Sequence, residues 1–412
     1  MDARDFIKRL WVLMLTVFVD MIGFLIVLPL LPFYAERLGA DAVSVGALVS
    51  IFAAAQLASA PLWGRLSDRY GRRPMILGGL MISAVSYLLF ESASTVWLLF
   101  LSRFVQGMGA GTVGVVQAYL SDSVPSEDRA KALGWLTAAT SAGVMIGPAI
   151  GSLSAAYGLI GPGYLAAILC VLNFFFALMW LPESADQESG QRLHSSKGAT
   201  RRVMADVLRH PKGQVGSVVW IYAMGMMAFM AMNGVLALFL ERRFGINEKT
   251  IGWFFVYVGG ISLVMRTVIL GPAVRRFGEV WVMRAGALSM ALSLAIIPLT
   301  GSIPALAFAV LLMPVGTALL FPTSTSLVSR RAAPKETGLT LGVHQAFGGV
   351  ARMIGPLWAG LAFQYVGIRS PFWIAAAVML FVRIFASSVK DDSDPGGKAD
   401  GEVEVPIAAE VP

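Results

Sequence analysis

The chain has 412 residues, 57% of them apolar and only 14% charged, where a soluble domain carries about 45–50% and 25%. With a mean hydropathy of +0.72, it lacks the polar surface a water-soluble fold of this size needs, which excludes a soluble enzyme or a DNA-binding protein. Lys and Arg exceed Asp and Glu by 32 to 25, a net charge of +7; cytoplasmic loops of membrane proteins collect such an excess, so no nucleic-acid partner is expected.

Spanning helices need about 20 mostly apolar residues. Twelve stretches qualify, six at 11–33, 44–63, 75–91, 96–119, 132–156 and 162–181. Six more follow at 217–240, 249–269, 281–299, 304–327, 338–363 and 370–388. The first is too long for a cleavable signal and leads straight into another span. The expected fold is therefore an all-α integral membrane protein. Its parts are an N-terminal six-helix bundle (1–181), a polar cytoplasmic linker (182–216), a C-terminal bundle (217–389) and an acidic, Gly/Pro-containing, disordered tail (390–412). An even number of spans puts both termini on one side. Placing them inside gives 22 Lys and Arg in the inner segments and 5 in the outer ones, which predicts a multi-pass cell-membrane protein with both termini in the cytoplasm. The single cysteine, Cys170, lies in an apolar run and allows neither an internal disulfide nor a cysteine-based metal site.

The halves repeat. Glu36-Arg37-Leu38-Gly39 with Gly46 returns as Glu241-Arg242-Arg243-Phe244-Gly245 with Gly252. Gly64…Arg69-Tyr70-Gly71 returns as Gly271…Arg276-Phe277-Gly278, and Gly134…Gly147-Pro148 as Gly342…Gly355-Pro356. Parallel six-helix repeats around a central cavity are one architecture of secondary transporters.

Four segments carry chemistry. Between spans two and three runs Gly64-Arg65-Leu66-Ser67-Asp68-Arg69-Tyr70-Gly71-Arg72-Arg73-Pro74. Its glycines suit a tight two-helix turn. Asp68 is expected to pair with Arg69 or Arg72, with Asp122 as a second acid at the same rim, as a conformational latch. Span four opens on Arg103, followed by Gln106-Gly107; span five carries Gly143-Val-Met-Ile-Gly147-Pro148-Ala-Ile-Gly151-Ser152. Span one carries Asp20, the only acid deep in any predicted span, three residues before Gly23. Intramembrane charges are costly and functional by default. The plainer alternatives are a structurally paired carboxylate for Asp20, an outward-snorkelling side chain for Arg103, and generic small-residue packing for span five.

Together these segments resemble the major facilitator superfamily: its signature loop at 64–74, its span-four arginine motif at Arg103, and its antiporter signature at 143–152, with Ser152 where that pattern has glycine. Asp20, Gly23 and Pro29 resemble the tetracycline-efflux, drug:proton antiporter branch. The resemblance spans roughly residues 10 to 388 and implies proton-coupled efflux of small amphipathic compounds. It implies no cofactor and no metal, the proton gradient as energy source, and small-molecule substrate, protons and lipid bilayer as partners of a monomer. It also implies a coupling role for Asp20 and Arg103. The C-half departs from the pattern: Arg275 stands at the echo of Asp68, Leu311 at that of Arg103, and no buried acid occurs. That weighs against a tetracycline–metal chelate as substrate. His344 and Arg352, eight residues apart in span eleven, lie within a quarter turn of each other. They are further coupling or substrate candidates, suited to an anionic group. Two other functions fit these residues, a metabolite or organic-anion facilitator of the same fold and a transport-inactive membrane receptor or scaffold.

Overall fold

The computed structural model describes residues 3–124, 129–157, 161–183, 197–333 and 336–389, and over them every regular element is a helix. The first half comprises α1 (Ala3–Val27), α2 (Leu31–Arg37), α3 (Ala42–Tyr70), α4 (Arg72–Glu91), α5 (Val96–Ala110), α6 (Val113–Ser123), α7 (Arg129–Tyr157) and α8 (Pro162–Trp180). A short helix, α9 (Lys197–Arg209), precedes the second half. That half holds α10 (Gln214–Phe244), α11 (Ile251–Val264), α12 (Leu270–Phe277), α13 (Glu279–Ile296), α14 (Ile303–Arg331), α15 (Thr337–Tyr365) and α16 (Ser370–Phe385). Three spans are interrupted helices: α1 with α2 across Pro29, α5 with α6, and α11 with α12 across a π turn at Met265–Ile269. The described residues thus form twelve spans of 19 to 31 residues, each meeting one predicted stretch. Lipid-facing side chains such as Trp11, Trp97, Phe104, Leu172 and Trp253 are exposed, as in a chain solvated by hydrocarbon with aromatic anchors near its ends.

Two expectations need correction. Gly64 is not part of the turn between spans two and three. α3 runs through it to Tyr70, with the Ser67 hydroxyl donating to the Gly64 carbonyl at 2.8 Å. The whole reversal falls on Gly71, whose φ of +98° only glycine adopts without strain. The linker 182–216 is also not simply polar loop. Within it α9 packs Val203 and Val207 inward and leaves Arg201, Arg202 and Arg209 exposed, and the Trp220 indole of α10 donates to the Val207 carbonyl at 3.3 Å. Residues 184–196 of the linker and the tail 390–412 lie outside the described residues.

Small residues set the helix spacing. Along one face of α7, Gly143, Gly147 and Gly151 lie on α1; a Cβ there would come within 2.7 Å of the Phe18 carbonyl, 2.8 Å of Leu25 Cβ and 2.5 Å of the Ile26 carbonyl. Pro148 sits inside the same helix. α4 and α8 are tied at both ends. Glu183, just past α8, accepts from the backbone N–H of Arg72 (2.8 Å) and Arg73 (3.2 Å) at the start of α4. Glu91, the last residue of α4, accepts from the Gly163 N–H (2.8 Å) at the start of α8. Each acid answers orphan donors of the other helix.

The two halves touch mainly toward the end that carries Glu36. There α3 packs on α15, with Gly46 against the Pro356 carbonyl and Gly360 against Ala42. There too α7 packs on α11, with Gly252 against Pro148 and Ser152. The Gly252 N–H donates to Ser152 Oγ at 2.7 Å across the interface. Two ion pairs span the same end: Arg242 to Glu36 at 3.0 Å, and Arg37 to Glu248. α12, at the other end of the span that α11 begins, packs on α13 of its own half. The molecule is sealed at the Glu36 end and parts toward the signature loop.

Candidate functional site

Between the halves lies a cavity of about 470 Å³. Its wall runs from Leu28 to Gln117 and Leu136, so it reaches toward the signature-loop end. Nearly all of it belongs to the first half; the second contributes Met230 and Arg352. Phe24 and Phe52, whose ring centroids are 5.2 Å apart, provide an aromatic wall.

Asp20 reaches this cavity from α1 and forms no hydrogen bond or ion pair among the described residues, so the structurally paired carboxylate does not apply. Arg103, on α5, lines the same cavity and does not snorkel: it is 1% exposed. Its Nη1 donates to Gln106 Oε1, and its guanidinium lies 4.8 Å over the Phe52 ring. Its Nε and Nη2 and the Gln106 Nε2 are buried with no protein acceptor. A buried cation with unmet donors is expensive, so the site is built to receive an acceptor. No ion pair joins Arg103 to Asp20. Tyr87 stands within electrostatic reach of both and faces the Gln106 side chain. Tyr87 also lines the cavity; a lone tyrosine in an apolar run gave only a weak signal for this position, and sequence reasoning missed it.

The two C-half candidates separate. Arg352 lines the cavity. His344 is fully buried in the wall behind it; its ring lies 3.9 Å from that of Tyr222, and its Nε2 is 3.4 Å from Thr325 Oγ1. A quarter turn of helix is enough to carry His344 out of the cavity into the contact with α10 and α14.

At the signature-loop end Arg72 is the hub. Its Nη1 donates to Asp68 Oδ1 at 2.7 Å and to the Ser67 hydroxyl; its Nε donates to Asp122 Oδ2 at 3.1 Å. Arg69 instead lies 5.3 Å over the neighbouring Tyr70 ring, and Arg73 reaches the Leu178 carbonyl. All these contacts stay within the first half. The second half holds the same device with its charges exchanged. Glu279, at the echo of Arg72, lies 3.5 Å from Arg330, at the echo of Asp122, and accepts from the Ser326 hydroxyl at 2.6 Å.

A sequence model of the Major Facilitator Superfamily matches residues 13–268 and again 218–409. The chain belongs to the major facilitator superfamily. Among curated relatives it is 27% identical over 372 residues to Multidrug resistance protein 1 of Bacillus subtilis (strain 168), covering 90% of this chain and 93% of the relative. It is 27% identical over 385 residues to the class C tetracycline resistance protein of Escherichia coli, covering 91% and 95%. Among solved structures the fold matches the human organic anion transporter MFSD10 (TM-score 0.69, 22% identity, 94% of this chain and 100% of that one). It also matches the nucleoside transporter NupG (TM-score 0.73, 16% identity, 92% and 99%). This major facilitator is a multi-pass membrane transporter, not an enzyme, and its substrates are small molecules.

Proposed function

We propose that this transporter exports small amphipathic organic compounds in exchange for protons, by alternating access of one cavity. The observation that carries the reading is Asp20: among the described residues it is the sole carboxylate on the cavity wall and has no protein partner, and it shares the cavity with a buried arginine with unmet donors. Such a carboxylate can hold either a proton or a cationic cargo group, and not both. Motion of the halves changes its solvent exposure and its surroundings, both of which govern protonation. The names of the curated relatives, multidrug and tetracycline resistance proteins, support efflux as the direction and foreign organic compounds as the cargo.

In this reading residues 1–181 and 217–389 rock against each other as two bodies of a monomer, joined by 182–216. The inner-loop excess of Lys and Arg puts both termini, the signature loop and α9 in the cytoplasm. The sealed Glu36 end then faces outward, and the structure corresponds to the cytoplasm-facing state. The proton gradient supplies the energy and no cofactor takes part. The test is transport by purified protein in liposomes under an imposed pH gradient. Asp20→Asn is expected to lose gradient-driven transport while retaining part of the downhill exchange. Full gradient-driven activity in Asp20→Asn at normal expression would remove Asp20 from the coupling role.

A further inference from the structure

α9 contributes nothing to the cavity wall, and it carries more apolar surface than its own packing uses. Val203 and Val207 form one stripe, turned onto α10 and α15. The Trp220 indole, in the second turn of α10, donates to the Val207 carbonyl at 3.3 Å. α10 begins at Gln214, so this bond holds α9 beside the first turns of a membrane span. Met204 and Leu208 form a second stripe, about 100° round the helix from the first, and they stay 37% and 54% exposed. Arg201 continues that second stripe toward the N-terminus, and Arg201, Arg202 and Arg209 are all exposed. None of the three arginines forms an ion pair among the described residues, while Asp206 is held by His210 at 2.9 Å. Asp206 is the single acid of residues 197–212, against five Lys and Arg.

Resting on the reading that puts α9 on the cytoplasmic side, we infer that α9 docks on the acidic lipids of the inner leaflet. Met204 and Leu208 enter the boundary between headgroups and acyl chains, and Arg201, Arg202 and Arg209 take lipid phosphates. Position and chemistry select this partner. A helix lying in the membrane interface is held by an apolar flank together with attraction of its bases to anionic lipid, and α9 has both. Its place beside the first turns of α10 puts the flank at headgroup depth without movement of the chain. A folded protein partner needs a specific interface of about 1,000 Å² or more, which two apolar side chains on a 13-residue helix do not supply. A nucleic acid would engage the arginines and leave Met204 and Leu208 in water.

The test places a spin label at Leu208→Cys and, separately, at Arg202→Cys; Cys170 is fully buried and stays unlabelled. The full chain is placed in nanodiscs of phosphatidylcholine, alone or with one-third phosphatidylglycerol. Label depth is read from collisions with oxygen against collisions with a water-soluble nickel chelate. With phosphatidylglycerol present, the label at 208 should be open to oxygen and shielded from nickel, and the label at 202 the reverse. In phosphatidylcholine alone, or at high salt, the label at 208 should move toward water. Arg201→Gln should shift its balance about fivefold toward water. The triple variant Arg201→Gln/Arg202→Gln/Arg209→Gln should lose the dependence on phosphatidylglycerol. A label at 208 open to nickel in both lipids overturns the inference, as does a depth that ignores lipid charge or the loss of all three arginines. The comparison of the two lipids requires no arginine variant to fold. A nanodisc offers the same lipids on both faces, so failure here leaves the cytoplasmic placement of α9 standing. Labelling of Arg202→Cys from outside intact cells removes that placement, and the inner leaflet as partner falls with it.

Discussion

Gly252→Ala places a methyl group in the seal at the Glu36 end. A Cβ at Gly252 would lie 2.6 Å from the Pro148 carbonyl oxygen and 2.6 Å from both Cβ and Oγ of Ser152. Ordinary carbon contacts begin near 3.4 Å, so α11 and α7 must separate there by about 0.8 Å, weakening the Gly252–Ser152 hydrogen bond as they do. Overpacking a tight contact costs about 1–3 kcal/mol, and this cost falls only on the state in which the two halves meet at that end. At about 1.4 kcal/mol per factor of ten, the balance moves roughly 5- to 150-fold toward the state open at the Glu36 end. Spin labels at Ser94 and Val366, exposed loop positions of the two halves at the sealed end, report the change by electron–electron distance measurement. Cys170 is fully buried and stays unlabelled. The alanine variant should populate a longer distance that the wild type barely shows. Gly46→Ala, which meets the Pro356 carbonyl in the echoed contact, should do the same. Wild-type distance distributions in both variants would refute the wedge and show that the seal absorbs a methyl group locally.

Four further outcomes follow from the same geometry. Ser152→Gly removes the 2.7 Å interface hydrogen bond without adding bulk, a loss of about 1 kcal/mol; the same label pair should shift in the same direction as Gly252→Ala but by less, and no shift would show that the bond adds nothing to the seal. Arg72→Gln cuts both rim ion pairs at once and should slow turnover more than Asp68→Asn or Asp122→Asn, while binding affinity stays within a few fold; equal rates for all three would deny Arg72 its central place. Arg103→Met replaces a buried cation with unmet donors by a group hydrocarbon tolerates, so its thermal midpoint should hold or rise while gradient-driven transport is lost; a fall of more than about 5 °C would mean that Arg103 holds the fold together. A cysteine at Arg202, exposed on α9, should react with impermeant reagent only from the cytoplasmic side, and labelling in intact cells would invert the orientation.

The twelve spans were legible because hydrocarbon demands long apolar runs, and the repeat because close helix contacts demand glycine and proline at fixed offsets. The antiporter-type glycines were equally visible: Gly143, Gly147 and Gly151 could be read as one helix face before their contact with α1 was known. What escaped falls into three physical kinds. Devices that keep a geometry but exchange the residues, such as Glu279 with Arg330 for Arg72 with Asp122, are invisible to a search for like residues. Contacts between segments distant in sequence, such as the Glu183 and Glu91 caps, leave no local trace. Helical phase is known from sequence only to within part of a turn, and that margin separates Arg352 on the cavity wall from His344 behind it. Ser152 belongs with these: as a sequence it is a mild departure from glycine, and only the neighbouring Gly252 gives it an interface bond.

The lopsided cavity wall bears on how such a transporter changes over generations. The carboxylate, the buried arginine and most of the apolar lining are supplied by one half, and only Met230 and Arg352 by the other. Under the proposed exchange, the coupling residues sit in the first half, and the second half meets the cargo only through these two side chains. On that proposal a substitution at 230 or 352 alters what is carried and leaves the coupling carboxylate in place, so one base change can try out a new cargo range. The converse change, in α1 or α5, risks both properties at once. Selection by an unfamiliar compound should therefore leave its earliest marks in α10 and α15.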